Sequence, residues 1–590
     1  MRVTENPDAL RRSFECPIMR QLASTCPRRH AYPHTRAIRD LSIAESSGRL
    51  VWTPRDVRRP SEGQRELHHN LRDRRFLKSS QPALEVARGS SYLIVRNIIN
   101  TAVSIGAFAV IARLISQAEM GIVAILMLVQ AGGVLLAGLG VTTAVTRFVA
   151  SHEAAGEHEE TRRAGYGYLM ICVMATSIVV VAVYLSAGAL AQFLWGDDSR
   201  SLLLRLLTIE IAATSVSGTL TGVLAGLRRF KEISMTSIAT FTVRQFLVVI
   251  FLTLRLGLPG IVVAWGIGGS LSSAILLLLT RKFLGPVTTG FNLAKLLRFS
   301  SPLLLGDAAS CAWSWFDRAI LIPMVSLAQL GAYNVAVTAF GILDSMPTAI
   351  SGTLFAYYSH FYGKGEVAGQ TLDLENAISR ASRYVSFLTI PLAVGLATTA
   401  MPATTLLAGN LYAESAYPLA VLSISLAAAC LVRALSQIFV VLGKTGTSAF
   451  VTCISVAISL LAAVVLVPYF GIVGASLARG LSLALALVIS ILVLRGVLRL
   501  RFDIKAYKCA WIASLFMAAA VLLLEALLYS NYLLPAYVVA GGLVYFLGLR
   551  SLRALDQQDI QLMSDFLGSR LRVLSGLLKQ FMVSEPAPVS

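Results

Sequence analysis

Ten ionisable side chains lie inside long apolar runs of this 590-residue chain, where a charge is costly and therefore informative. Hydrocarbon does not solvate charge, so such groups usually face a wet cavity, a partner of opposite charge or the end of a helix. Five are arginines, whose planar guanidinium binds phosphate through paired hydrogen bonds. An arginine-lined cavity would therefore suit a substrate that carries phosphate. The ten are Arg96, Glu210, Arg244, Asp307, Asp317, Arg318, Asp344, Arg433, Arg479 and Glu525.

Two interpretations of these charges compete. The functional one is a polar cavity with candidate substrate cations at Arg96, Arg244, Arg318 and Arg433. The structural one is pairing between arginines and carboxylates of neighbouring helices, and it is favoured for Arg147 and Arg479. The candidate coupling or structural acids are Glu210, Asp307, Asp317 and Asp344. Because Asp317 and Arg318 are adjacent, they project about 100° apart on a helix. At most one of them need line a cavity, and the other can tie helices together.

Apolar runs of about twenty residues recur from Ser91 to Arg550, a length that spans a bilayer as a helix. Only 14% of the residues are charged, against about 25% in a soluble protein. A β-barrel would need alternating polarity in short segments, and runs such as 171–185 do not alternate. Lipid offers no hydrogen-bond partner, so every backbone N–H and C=O must be paired within the protein. With a barrel disfavoured, the spans must be helices. The sequence predicts an all-α polytopic membrane protein.

Fourteen transmembrane helices are predicted. The spans are residues 91–114, 121–147, 165–190, 202–227, 233–255, 259–281, 297–324, 330–357, 382–408, 416–442, 447–468, 472–495, 506–529 and 532–550. Every second connection is rich in Arg and Lys, and the positive-inside rule places that set in the cytoplasm. Both termini are then cytoplasmic, which requires an even number of spans.

Three sequence echoes indicate an internal duplication. They pair Ser116–Gly121 with Ser326–Gly331, Leu224–Gly226 with Val441–Gly443, and Gly257–Gly260 with Gly471–Gly474. Since six spans separate the copies, the repeats are expected to be parallel, giving two six-helix lobes at 91–281 and 297–495. Two extra helices at 506–550 and a cytoplasmic amphipathic tail at 551–590 fall outside the repeat.

Residues 1–88 differ from the rest, with eighteen basic and ten acidic side chains and no lasting hydrophobic period. Two interpretations stay open. One is a disordered cytoplasmic arm that touches anionic lipid. The other, which the arginine bias favours, is a mis-called start, with translation beginning near 77–86.

Several classes of function are disfavoured by missing motifs. The sequence has no P-loop, no cysteine or histidine pattern with metal spacing, and no connection long enough for a catalytic domain. The chain is therefore expected not to be an enzyme and to need no cofactor or metal. No nucleic-acid partner is expected either.

Several segments resemble the polysaccharide flippases of the Wzx type, in the multidrug/oligosaccharidyl-lipid/polysaccharide exporter superfamily. They are ARLISQAEMGIVAI, GLGVTTAVTRFVA, GVLAGLRRFKE, LLRFSSPLLLGD, WFDRAILIPMVSLAQLGAYNVA and VPYFGIVGASLA. The resemblance covers roughly 83–568, and residues 313–336 are its most specific part.

The resemblance implies two bundles in a V that work by alternating access, in the plasma (inner) membrane. The implied substrate is a lipid-pyrophosphate-linked oligosaccharide, moved from the cytoplasmic to the outer leaflet. By family analogy Arg318 would be a cavity cation. A monomeric transporter is expected, with glycan-assembly proteins as possible partners. The alternatives are a cation-coupled multidrug antiporter, a lipid II flippase and a scaffold that transports nothing.

Overall fold

The computed structural model describes residues 91–285, 293–368, 372–496, 498 and 503–554. All described residues lie in one unit of the chain, Ser80–Ser590. The predictions for residues 1–88 and for most of the tail, from 555 onward, fall outside the described residues.

Helices and turns make up the described part of the chain, and it contains no strand. The first group of helices is α1 (Ser91–Leu114), α2 (Gln117–Gly138), α3 (Val141–Ala154), α4 (His158–Leu185), α5 (Ala187–Trp195), α6 (Ser201–Gly226), α7 (Phe230–Thr253) and α8 (Gly257–Thr280). The second group is α9 (Leu293–Leu321), α10 (Leu327–Ala368), α11 (Leu372–Thr398), α12 (Ala400–Ala408), α13 (Ala416–Val441), α14 (Thr445–Arg495), α15 (Ile504–Leu527) and α16 (Leu534–Ser551).

Eleven helical segments among the described residues are long and apolar enough to cross a membrane. Large apolar side chains also point outward, with Phe193 84% and Leu461 70% exposed. In water such a surface would be costly, whereas against lipid it is not. The described part of the chain is therefore all-helical, and the protein is a multi-pass membrane protein. The count of fourteen spans stays a prediction.

Five of the predicted spans differ from the helices observed. The span at 165–190 is divided between α4 and α5 at Ser186, and the span at 382–408 is divided between α11 and α12 at Thr399. The span at 121–147 is divided between α2 and α3, because Leu139 and Gly140 adopt φ of 45° and 70°. The spans at 447–468 and 472–495 are the two parts of α14, which Gly471 interrupts with φ 53° and ψ −131°. Positive φ is reached at little cost by glycine, so glycines mark two of these turns.

Helix packing is mostly internal to each group. In the first group α6 packs on α2, α3, α4 and α8, and α7 packs on α8. In the second group α13 packs on α10, α11 and α14, α9 packs on α14, and α15 packs on α11 and α16. Among the described residues, the main contacts between the groups join α2 to α9 and α10, and α3 and α4 to α9. The boundary between the groups therefore runs mainly along α2, α3, α9 and α10.

Candidate functional site

The echoed segments Ser116–Gly121 and Ser326–Gly331 begin α2 and α10 and carry the same cap. The Ser116 hydroxyl accepts from the Glu119 backbone N–H at 3.3 Å, and the Glu119 carboxylate accepts from the Ser116 N–H at 2.8 Å. Ser326 and Gln329 repeat both bonds at 3.3 Å. Each segment is thus a capping box, which satisfies N–H groups that a helix start leaves unpaired.

Glycines in the two echoed segments bring the helix groups into backbone contact. A Cβ on Gly121 would overlap the carbonyl oxygen of Leu327, and a Cβ on Gly331 would overlap that of Gln117. Each glycine therefore permits an approach that an alanine would block. The two contacts are reciprocal, as expected where equivalent parts of a duplicated chain meet.

Three polar contacts tie the α1–α2 connection to the second group at the same end. Arg113 Nη2 donates to the Leu406 carbonyl at 2.7 Å, the Gln117 side-chain amide donates to the Leu411 carbonyl, and the Tyr412 hydroxyl donates to the Ile115 carbonyl at 3.2 Å. We call this region the seal, and it consists of residues 113–121, 327–331 and 406–412. It closes one end of the boundary between the groups.

A cavity of about 540 Å³ lies between the groups, on the far side of the seal. Its α2 wall starts at Met127, about 9 Å along the helix from Gly121. The opposite wall is α9, and α3 and α6 complete the lining. The polar lining residues are Gln130, Thr142, Thr214, Ser215, Asp307, Ser310 and Ser314. We call this space the central cavity.

A second pocket, of about 230 Å³, lies within the first group between α1, α6, α7 and α8. It holds Arg96, Glu210 and Arg244, and we call it the arginine pocket. Thr214 lines both this pocket and the central cavity, so the two adjoin. Seven hydroxyl side chains line the arginine pocket: Thr214, Ser217, Thr221, Thr236, Ser237, Thr240 and Ser272.

Glu210 and Arg244 form a buried ion pair across α6 and α7. Glu210 Oε1 accepts from Arg244 Nη1 at 3.0 Å and from Gln130 Nε2 at 2.9 Å. The Glu210 side chain is 0% exposed and that of Arg244 23%. Adjacent glycines of α8 make the space, because a Cβ on Gly268 or Gly269 would overlap Arg244 or Glu210 respectively.

Arg96 differs from Arg244 because, within the described residues, it has no carboxylate partner. Its guanidinium donates to the side chain of its neighbour Asn97, at 3.4 Å from Nε and 3.2 Å from Nη2. Its helix α1 is tied to α7 by a bond from Asn100 to Ser237 at 3.2 Å. The arginine pocket therefore contains one paired guanidinium and one available to a ligand.

A third pocket, of about 200 Å³, lies inside the second group and contains Asp344, Arg433 and Arg479. Arg433 Nη2 donates to Asp344 Oδ2 at 2.6 Å, and its Nη1 donates to the Asp344 carbonyl at 3.1 Å. This ion pair joins α10 to α13. The Asp344 side chain is 22% exposed and the Arg433 side chain 32%.

Asp317 joins three helices through a fully occupied carboxylate. Its Oδ2 accepts from Arg479 Nη1 at 2.6 Å and from the Tyr333 hydroxyl at 2.7 Å, and its Oδ1 accepts from the Arg318 N–H at 2.8 Å. The expected pairing of Arg479 is confirmed. Asp317 is fully buried, so its role is to hold α9, α10 and α14 together.

Arg318 lies behind the wall of the central cavity. Its Nε donates to Asn334 Oδ1 at 3.2 Å and its Nη1 to the Ser314 carbonyl at 3.2 Å, while its guanidinium stacks on Trp315 at 4.5 Å. Ser314 and Trp315 line the cavity, but the Arg318 residue is only 8% exposed. Arg318 therefore contacts residues that line the cavity but does not line it itself in this structure.

The predicted residues therefore fall into separate places. Arg96 and Arg244 share a pocket with Glu210, Arg433 shares another with Asp344, and Asp307 lines the central cavity. Sequence reasoning missed Gln130 and the hydroxyl side chains. Nothing in their local sequence distinguishes them from the small polar residues that pack membrane helices.

The sequence profile of a family described as "Polysaccharide biosynthesis protein" matches residues 86–361. A probable low-salt glycan biosynthesis flippase, Agl15 of Haloferax volcanii, is 24% identical over 484 residues, covering 78% of this chain and 95% of the relative. The resemblance to glycan flippases is confirmed.

Solved structures show the fold. The lipid II flippase MurJ in an inward closed conformation superposes with a TM-score of 0.64 and 13% identity, over 77% of this chain and 97% of MurJ. An inward-facing multidrug resistance MATE transporter of the MOP superfamily gives 0.56 and 15% identity, over 68% of this chain and 97% of that transporter. The described helices thus adopt the fold that MurJ and MATE transporters share.

Proposed function

We propose that this protein is a flippase for lipid-linked glycans and not an enzyme. It moves a lipid-pyrophosphate-linked oligosaccharide from the cytoplasmic to the outer leaflet of the plasma membrane. The chain crosses the bilayer fourteen times with both termini in the cytoplasm, so the seal lies at the outer face. The relatedness to Agl15 and the polysaccharide biosynthesis profile supports this proposal.

The arrangement of the arginine pocket beside the central cavity is the observation that carries the proposal. A pyrophosphate-sugar headgroup cannot cross hydrocarbon without replacement of its hydration shell. Arg96 and Arg244 offer charge-assisted donors for the phosphates, and the seven hydroxyl side chains offer partners for the sugar. The lipid tail remains in the bilayer while the headgroup occupies the protein.

The alternative, a cation-coupled multidrug antiporter, is less well supported. The charged residues of α1 are Arg96 and Arg113, and none of its side chains is a carboxylate. An antiporter for organic cations would also have to place its cargo beside two guanidinium groups in the arginine pocket, where repulsion opposes binding. The same charges attract a pyrophosphate.

The test uses proteoliposomes that contain the full chain and a fluorescent polyprenyl diphospho-N-acetylglucosamine in both leaflets. We expect the purified protein to expose the inner-leaflet probe to an external quencher. Arg96→Gln should slow exposure about tenfold or more, because a charge-assisted hydrogen bond to phosphate contributes about 1.5–3 kcal/mol. Quenching kinetics measure the rate.

Arg163→Gln is the matched control, because Arg163 pairs with Glu160 on the surface of α4 at 2.9 Å and lies outside the three pockets described. It should flip the probe at the unaltered rate. Equal rates for Arg96→Gln and the unaltered protein, or no exposure of the probe at all, would show that the proposal is wrong.

A further inference from the structure

Glu210 is a carboxylate that the protein buries without completing its hydrogen bonds. Its Oε1 accepts from Arg244 and Gln130, and the Thr214 hydroxyl of the same helix lies close to the carboxylate. Oε2 nevertheless makes no hydrogen bond of ordinary length among the described residues, although the side chain is 0% exposed. Asp317, by comparison, has both oxygens occupied. A buried, ionised carboxylate with one oxygen left without a hydrogen bond raises the free energy of the folded protein. Groups of this kind cluster at functional sites.

Arg244 has two possible partners in the same pocket. In this structure it binds Glu210, yet it also lines the arginine pocket beside Arg96. With Glu210 ionised, the three side chains carry one net positive charge, and with Glu210 protonated they carry two. A pyrophosphate diester carries two negative charges, so the protonated state matches it and the ionised state does not.

The groups that face Glu210 come from five helices. Gln130 of α2 is neutral, Arg244 of α7 and Arg96 of α1 are cationic, and the described lining of α8 is glycine, Ser272 and Leu276. Across the adjoining central cavity, α9 contributes Asp307. The two guanidinium groups of the pocket repel a metal cation. A proton can still bind there, because it forms a covalent bond with the Glu210 carboxylate and neutralises it.

We propose that Glu210 takes up one proton when a pyrophosphate headgroup enters the arginine pocket. The proton comes from water in the central cavity and forms an O–H bond on the carboxylate, and Arg244 exchanges Glu210 for a phosphate oxygen. When the headgroup leaves, the proton returns to water and the Glu210–Arg244 pair re-forms. This inference rests on the proposed function and adds a proton to the substrate site.

The test is titration calorimetry of the full chain in detergent. The probe is a short-chain prenyl diphospho-N-acetylglucosamine, whose diester phosphates keep their charges between about pH 6 and about pH 8. In two buffers of different ionisation enthalpy, the heats should report uptake of about one proton per bound probe. The dissociation constant should rise with pH, by at most about tenfold per unit.

Glu210→Gln should bind the probe at both pH values without proton uptake and with little pH dependence. Asp344→Asn, which alters the pair with Arg433 inside the second group, should keep both the proton uptake and the pH dependence. Binding without proton uptake in the unaltered protein, or proton uptake that survives Glu210→Gln, would overturn this inference alone. No binding of the probe to the unaltered protein would overturn the proposed function as well.

Discussion

At the scale of single residues, buried charges in this protein mainly hold helices together within each group. Glu210 pairs with Arg244 in the first group, while Asp317 pairs with Arg479 and Asp344 with Arg433 in the second. Each pair joins different helices. Removing one member of a buried pair lowers the free energy of unfolding by far more than the whole pair contributes to it. The reason is that the remaining charge stays buried without a partner.

Asp317→Asn should therefore be strongly destabilising. The substitution leaves the Arg479 guanidinium without its carboxylate and weakens the contact with Tyr333. We expect a loss of about 3–5 kcal/mol in the free energy of unfolding. Thermal unfolding in detergent would measure it. Asp307→Asn changes an exposed carboxylate on the same helix and should stay within about 0.5 kcal/mol of the unaltered protein. Similar losses for both variants would contradict this assignment.

At the scale of the elements, α2 and α10 meet through a contact that only glycine allows. Because Gly121 and Gly331 are reciprocal, a methyl group on either one pushes the same two backbones apart. The penalty falls on the sealed arrangement and not on either helix alone, since alanine favours a helix over glycine. Among the described glycines, these two make the closest approaches to a neighbouring backbone, so one added carbon is expected to disturb the seal strongly.

Gly121→Ala or Gly331→Ala should open the seal without unfolding the protein. With Ser314→Cys as a reporter in the central cavity and the other cysteines replaced, we expect labelling by an impermeant thiol reagent from outside to become about tenfold faster. A tenfold change in rate corresponds to about 1.4 kcal/mol in the free energy of opening the seal. This lies within the range that an overpacked methyl group costs. Gly132→Ala is the control, because a Cβ there meets nothing within 4 Å. Equal labelling of all three variants would count against this account of the seal.

At the scale of the whole molecule, the seal and the central cavity describe one state of a transporter. Proposed transport by alternating access requires the contacts of residues 113–121 with 327–331 and 406–412 to separate once in each cycle. A covalent tie across the seal should then stop turnover while leaving the fold intact.

A short, reducible thiol cross-linker between Gln117→Cys and Leu411→Cys provides this tie, because the Gln117 side chain contacts the Leu411 carbonyl. In a cysteine-free background, cross-linking should abolish probe flipping, and reduction should restore it. Either single variant treated in the same way should remain active. Undiminished flipping by fully cross-linked protein would rule out separation at the seal.

Much of this protein could be read from residue order alone, since hydropathy and helical period are local properties. The apolar runs predicted an all-helical membrane protein, and the likeness of Ser116–Gly121 to Ser326–Gly331 predicted an internal duplication. The resemblance of the chain to polysaccharide flippases is confirmed by the family profile and by Agl15. The interruption at 139–140 was missed, because two residues at positive φ leave little trace in an apolar run.

Only the tertiary structure decided what each buried charge does. Arg244 and Arg479 each bind a buried carboxylate, yet Arg244 lies in the pocket beside the central cavity and Arg479 in the pocket inside the second group. Arg318 adjoins the cavity but faces Asn334 and Trp315. A guanidinium's partner depends on how its helix is rotated and which helix lies opposite, and these follow from packing among segments far apart in the chain. Residue order therefore determined which charges enter the membrane, and packing decided which of them can meet a substrate.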